Sequence, residues 1–105
     1  MLQALKNLFG FGPSVDFKEL MNQGAVIVDV RSKGEYQSGH IKGSLNIPVD
    51  SLQNNLNKLK DKDKPVITCC ASGMRSSAAK GMLKSKGYTN VHNGGSWHSL
   101  QSKIR

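Results

Sequence analysis

Aromatic residues are scarce in this chain, at 6% of its 105 positions, and no stacking platform for nucleic-acid bases is visible. Acidic residues are few as well: seven Asp and Glu stand against fifteen Lys and Arg, and none follows Asp63. No apolar run approaches the roughly 18 residues of a membrane span, so no spanning helix is expected. Cysteine is confined to the adjacent pair Cys69 and Cys70. Sequence neighbours almost never form a structural staple, so a disulfide scaffold and a C-x-x-C metal or redox site are both excluded. At least one thiol is then free, which suits a reducing compartment.

The length is that of a single domain, well under the roughly 150 residues per domain used as a guide, and a second catalytic lobe is excluded. Apolar residues at 37%, with eleven glycines beside them, suffice for one small core. The net charge of +8 points to anionic partners: small anions, acidic proteins or nucleic acid. Sign alone does not choose among them, but the thin aromatic content disfavours nucleic acid.

Residues 1–13 read as an N-terminal arm and 14–105 as the domain. Leu2, Leu5, Leu8 and Phe9 form one stripe of a short helix, interrupted by Lys6 and followed by no small-residue cleavage site. The arm is expected to dock on the domain, with a membrane-surface or partner-binding role as the alternative. With no export signal recognised, a cytoplasmic protein is expected.

Beyond Pro13, Ser14 is placed to cap a helix through Asp16–Met21, which Asn22-Gln23-Gly24 would stop. Ala25–Val30 is a continuous β-branched run, the pattern of a strand buried on both faces in a parallel sheet. A helical turn or two follows over Ser32–Gln37, then a short strand at Ser44–Ile47 closed by Pro48. Val49–Leu59 repeats Leu52, Leu56 and Leu59 at helical spacing, and Lys60–Lys64 is a solvated turn. Pro65–Cys69 reads as a second buried strand, Ser76–Lys86 as a helix, and Val91-His92 as a brief strand. Gly94-Gly95 makes a turn before a last helix with Trp97 and Leu100. Strands alternating with helices over short connections predict an α/β domain with a central, mainly parallel sheet flanked by helices.

Reactive groups in such sheets collect beyond the carboxyl ends of the strands, where Asp29 and Cys70 fall. Cys70-Ala71-Ser72-Gly73-Met74-Arg75 runs from a strand end into a helix that begins Ser76-Ser77. Turned backbone N–H groups, the helix dipole and the Arg75 charge all favour a thiolate there. Such surroundings lower a cysteine pKa from about 8.5 to roughly 3.5–7.5. Gly73 lets the backbone turn tightly and an anion approach. The competing reading of Cys70 is a small buried hydrophobe. Strand alternation sends Cys69 to the opposite face, as a core thiol or, alternatively, a resolving thiol.

At these residues the chain resembles the rhodanese family, specifically a single-domain rhodanese-like sulfurtransferase. The resemblance spans about residues 14 to 100 and rests on three segments. These are Asp29-Val30-Arg31-Ser32 with Glu35-Tyr36 and Gly39–Pro48, the loop Cys70–Ser76 read as C-x-S-G-x-R-S, and Asn93-Gly94-Gly95 followed by Trp97. It implies a rhodanese fold in which Cys70 carries a persulfide. Sulfane sulfur would pass from thiosulfate or a similar small anionic donor to a thiophile, either cyanide or a thiol. The alternatives are a persulfide relay to a sulfur-carrier protein and a non-catalytic binding module. The six residues from Cys70 through Arg75 resemble sulfur-handling members; related phosphatase and arsenate-reductase loops are one residue longer.

By the same resemblance, the loop residues Ala71, Ser72, Gly73, Met74, Arg75 and Ser76 are expected to bind substrate. Arg75 meets the anionic donor or caps the loop. Asp29 and Arg31 brace the strand end, or tune the thiol. His40 bonds within its turn, and Trp97 is core or a substrate platform. His92 and His98 lack partners at metal-ligand spacing, so no metal site is expected, and no cofactor.

Overall fold

In the computed structural model, which describes residues 15–105, the two β-branched runs lie side by side at the centre of one sheet. Strand β1 is Val26–Asp29 and β3 is Val66–Cys70, paired in parallel with Val28 opposite Thr68 and Asp29 opposite Cys69. The two-residue strand β2, Leu45–Asn46, lies outside β1, and β4, Val91–Ser96, lies outside β3. The order is therefore β2-β1-β3-β4, with every neighbouring pair parallel.

Parallel neighbours need crossover connections, and the helices that supply them cover both faces of the sheet. Val28, Val30, Val66 and Cys70 turn to one face, against Leu52 and Leu59 and against Ala79 and Leu83 of helix α3, Met74–Ser85. Ile27, Ile67 and Cys69 turn to the other, against Phe17 of α1, Phe17–Asn22, and Leu100 of α4, Trp97–Lys103. Helix α2, Lys33–Ser38, lies between β1 and β2 in sequence, with Ser32 as its cap. Two-sided burial is why the central strands read as unbroken apolar runs. It also confirms the alternation that sends the two cysteines to opposite faces.

Four local expectations are corrected. The α1 cap is Asp16, whose carboxylate accepts the Glu19 N–H at 3.0 Å. Ser14 and the expected 1–13 arm lie outside the described residues. The leucine-bearing segment Val49–Lys58 is a 3-10 helix, broken at Asn55, whose amide donates to the Ser51 carbonyl at 2.8 Å. That local bond competes with regular helix hydrogen bonding. Helix α3 begins at Met74, two residues before the expected start, and Cys70 is the last residue of β3. Finally, Gly94-Gly95 is not a turn but part of a six-residue strand.

Gly94 makes that strand possible. A Cβ there would sit 2.8 Å from Leu100 Cδ2 and 2.9 Å from both Ile67 Cγ2 and the Thr68 carbonyl oxygen. Because one of these atoms is backbone, the clash has no easy relief. Gly94→Ala should therefore lower unfolding stability by about 1–3 kcal/mol, the usual penalty of overpacking a close-packed core. Urea denaturation reads this directly, and an unchanged midpoint would contradict the packing described.

Candidate functional site: a thiol in a backbone cradle

After Cys70 the chain turns through the exposed residues Ala71 and Ser72 and enters α3 by way of Gly73. Gly73 adopts φ 102°, ψ −11°, a left-handed conformation that a side chain would strain. The turn folds backbone donors back onto the sulfur. The Gly73 N–H donates to Sγ at 3.0 Å and the Ser76 N–H at 3.4 Å, while the Ser76 hydroxyl lies 3.5 Å away.

Asn93 of β4 anchors this loop from the neighbouring strand. Its Oδ1 lies 2.6 Å from Ser76 Oγ and accepts the Gly95 N–H at 2.9 Å, and its Nδ2 donates to the Gly73 carbonyl at 3.3 Å. One amide side chain thus fixes both the glycine that makes the turn and the serine that faces the sulfur.

Burial works against a charged sulfur here, but the Ser76 hydroxyl and the N–H groups of Ser76, Gly73 and Ser72 outweigh it, and the Cys70 thiol titrates below its ordinary value. Its neighbour behaves oppositely. Burial, followed by the nearby Asp29 carboxylate, pushes the Cys69 thiol up to about 12. Two adjacent thiols therefore differ in which of them ionises.

The Arg75 guanidinium grips Glu35, with Nη1 to Oε1 at 2.7 Å and Nη2 to Oε2 at 2.9 Å. Glu35 also accepts from the Ser32 N–H and hydroxyl, completing a capping box at the start of α2. Those bonds, the Arg75 pair first, hold the Glu35 carboxyl down to about 2. The hydrogen bonds that favour the thiolate come from backbone and hydroxyl donors, while the Arg75 guanidinium bonds Glu35.

Cys70 is 0% exposed, while Ala71 and Ser72 beside it are exposed. Close wrapping follows from the same N–H groups that favour the anion. Met74 is 80% exposed, in the first turn of α3.

Asp29 and Arg31 form a buried pair below the loop. Arg31 Nη2 meets Asp29 Oδ2 at 2.7 Å and Nε meets both carboxylate oxygens at 3.0 Å. Arg31 Nη2 also donates to the Gly39 carbonyl at 2.6 Å, and the guanidinium lies 4.8 Å from the Trp97 ring centroid. These contacts tie β1, the end of α2 and α4 together, which is a bracing geometry. Trp97 packs against the second core cluster, and His40 bonds the Tyr36 carbonyl through Nδ1 at 2.7 Å while stacking on the Tyr36 ring.

Asn93 and Glu35 carried no role in the sequence reading beyond their place in the motifs. The Ser32-x-x-Glu35 spacing signals a capping box. Nothing local signals the Glu35–Arg75 contact, which joins residues 40 apart. A cavity of about 140 Å³ lies at the opposite, amino ends of β1 and β3, between Val26, Lys58, Lys60, Lys64 and Val66, and does not touch the cysteine loop.

Comparison with known proteins decides the family. Residues 14–102 match the rhodanese-like domain. The chain belongs to the rhodanese-like family. It is 38% identical over 69 residues to YqhL of Bacillus subtilis, an uncharacterised protein, covering 66% of this chain and 54% of that one. It is 34% identical over 80 residues to the thiosulfate sulfurtransferase GlpE of Pseudomonas fluorescens, covering 76% and 72%. Among solved structures, the human single-domain sulfurtransferase TSTD1 superposes with a TM-score of 0.74 at 29% identity, over 88% of this chain and 97% of that one. This rhodanese-like chain thus spans about half the length of its Bacillus relative.

Iodoacetamide at neutral pH should therefore label the folded protein once, at Cys70, and leave Cys69 unmodified until denaturant is added. Peptide mapping reads the position. Labelling of Cys69 first would contradict the assignment of the ionising thiol.

Proposed function

We propose that this chain is a sulfurtransferase in which Cys70 carries the moving sulfur as a persulfide. The observation that carries this reading is the convergence of the Gly73 and Ser76 N–H groups on the Cys70 sulfur. Membership of the rhodanese-like family and the thiosulfate sulfurtransferase among its relatives support the same chemistry.

In the first half-reaction the Cys70 thiolate attacks the outer sulfur of thiosulfate or a similar donor. The donor S–S bond breaks, sulfite leaves with the bonding electron pair, and a persulfide anion remains on Cys70. In the second, a thiophile such as cyanide or a thiol takes that outer sulfur and returns the thiolate. A ping-pong cycle of this kind needs a nucleophile that stores the group between partners. The amide cradle serves both states, because it binds sulfur anions without contributing a proton of its own. Ala71, Ser72, Gly73, Met74 and Ser76 shape the cradle in this reading, and Asp29 with Arg31 supports it from below. Six residues from Cys70 through Arg75 make a smaller loop than the phosphatase relatives of the fold use, which disfavours a tetrahedral phosphate.

A protein thiol as final acceptor is favoured by one observation, the 80% exposure of Met74 beside the loop, which offers an apolar contact to a docked partner. Cyanide and protein acceptors share the first half-reaction.

Incubation with saturating thiosulfate followed by intact mass measurement tests the proposal. Wild type and Cys69→Ser should each gain the mass of one sulfur atom, Cys70→Ser should gain none, and cyanide should remove the gain. A wild type that gains nothing would overturn the sulfurtransferase reading. Retention despite cyanide, with discharge by a protein thiol, selects the relay.

A further inference from the structure

Among the described residues the two ion pairs are Asp29–Arg31 and Glu35–Arg75. Only the second reaches the cysteine loop, joining α2 to the first turn of α3. Glu35 is held from two sides. Ser32 donates its N–H at 3.1 Å and its hydroxyl at 3.0 Å, while Arg75 contributes its two guanidinium bonds. The backbone beneath is fixed as well, because Arg31 Nη1 donates to the Glu35 carbonyl at 3.3 Å. The carboxylate is therefore placed before any substrate arrives.

Both side chains of the pair are 38% exposed, so the guanidinium, carried by a residue of the cysteine loop, is open to solvent. A planar fork already matched by a carboxylate has its best donors occupied. A donor whose head is a sulfonate-like oxyanion needs those same donors, and must displace Glu35 to obtain them. A persulfide carried on a carbon-bound thiol has no such head. Its organic part instead has the exposed Met74 thioether to lie against.

We propose that Glu35 is a specificity-determining positioning residue: by occupying the Arg75 guanidinium it turns the site away from oxyanion-headed donors such as thiosulfate and toward alkyl persulfides. This inference rests on the sulfurtransferase reading. The step is balanced: Cys70–S⁻ attacks the outer sulfur of R–S–SH, the donor S–S bond breaks, and the products are Cys70–S–SH and R–S⁻. No oxidant or reductant is required, because the sulfane sulfur is passed on unchanged in oxidation state.

The test compares the efficiency of Cys70 loading, followed by intact mass, with thiosulfate and with a small alkyl persulfide. Glu35→Gln removes the charge while leaving a side chain that a capping box accepts. The thiosulfate-to-persulfide efficiency ratio should rise by about threefold or more as a partly exposed charge-assisted pair becomes available to the oxyanion. The change should appear in the half-saturating thiosulfate concentration, and it should vanish in the Glu35→Gln, Arg75→Gln double variant. Glu35→Ala, checked for folding by circular dichroism, gives the same reading if the first variant is poorly folded. A ratio that moves less than about threefold would overturn the inference, as would a gain that survives loss of Arg75. Failure of both donors to load wild-type and variant protein would instead bring down the sulfurtransferase reading itself.

Discussion

Two peptide N–H groups aimed at one sulfur atom set the terms for everything around them. They can converge only because Gly73 takes a left-handed conformation at the start of α3. That glycine is in turn held by Asn93, which also fixes Ser76, and Asn93 is positioned by a strand whose next residue, Gly94, has no room for a side chain. The chain of dependence runs from core packing between Ile67 and Leu100 to the protonation of Cys70. A buried charge is ordinarily unfavourable, and here it is stabilised by donors that are already oriented in the folded chain.

Electrostatics act at two ranges. The net charge of +8, with no acid after Asp63, supplies a diffuse cationic field that draws anions toward the domain without naming them. Contacts at short range are more selective. Asp29 and Arg31 are nearly inaccessible to solvent and satisfy one another along with the Gly39 carbonyl, so neither charge is left for a ligand. Arg75, the cation nearest the thiol in sequence, is matched by Glu35. Attraction and recognition are thus carried by different groups, and a strongly basic composition does not imply a free guanidinium at the reacting atom.

Much of this was legible in the residue order. The runs Ala25–Val30 and Pro65–Cys69 announced the two central strands, found at Val26–Asp29 and Val66–Cys70, because two-sided burial leaves no polar alternation, and Cys70 at the strand-to-helix turn announced the site. The opposite facing of Cys69 followed from the two-residue period of a strand. The failures have a common physical origin. Gly94 and Gly95 look like a turn locally, yet close approach of Leu100 and the Thr68 backbone makes glycine a requirement of a strand. The leucines after Pro48 fit a regular helix until the Asn55 side chain bonds back to Ser51. The Glu35 partner of Arg75 was not legible because it lies 40 residues away in sequence, and the degree to which Cys70 is enclosed depends on the whole loop. Periodicity reports burial along an element. It is silent on long-range polar partners.

Direct titration of the thiolate by its ultraviolet absorbance, in the Cys69→Ser protein, reaches the central claim without any substrate. The account predicts one ionisation below the ordinary cysteine value, absent from the protein that also carries Cys70→Ser. An ionisation at or above that value would mean that burial outweighs the loop donors, and the Cys70 sulfur would then be a core atom and not a nucleophile.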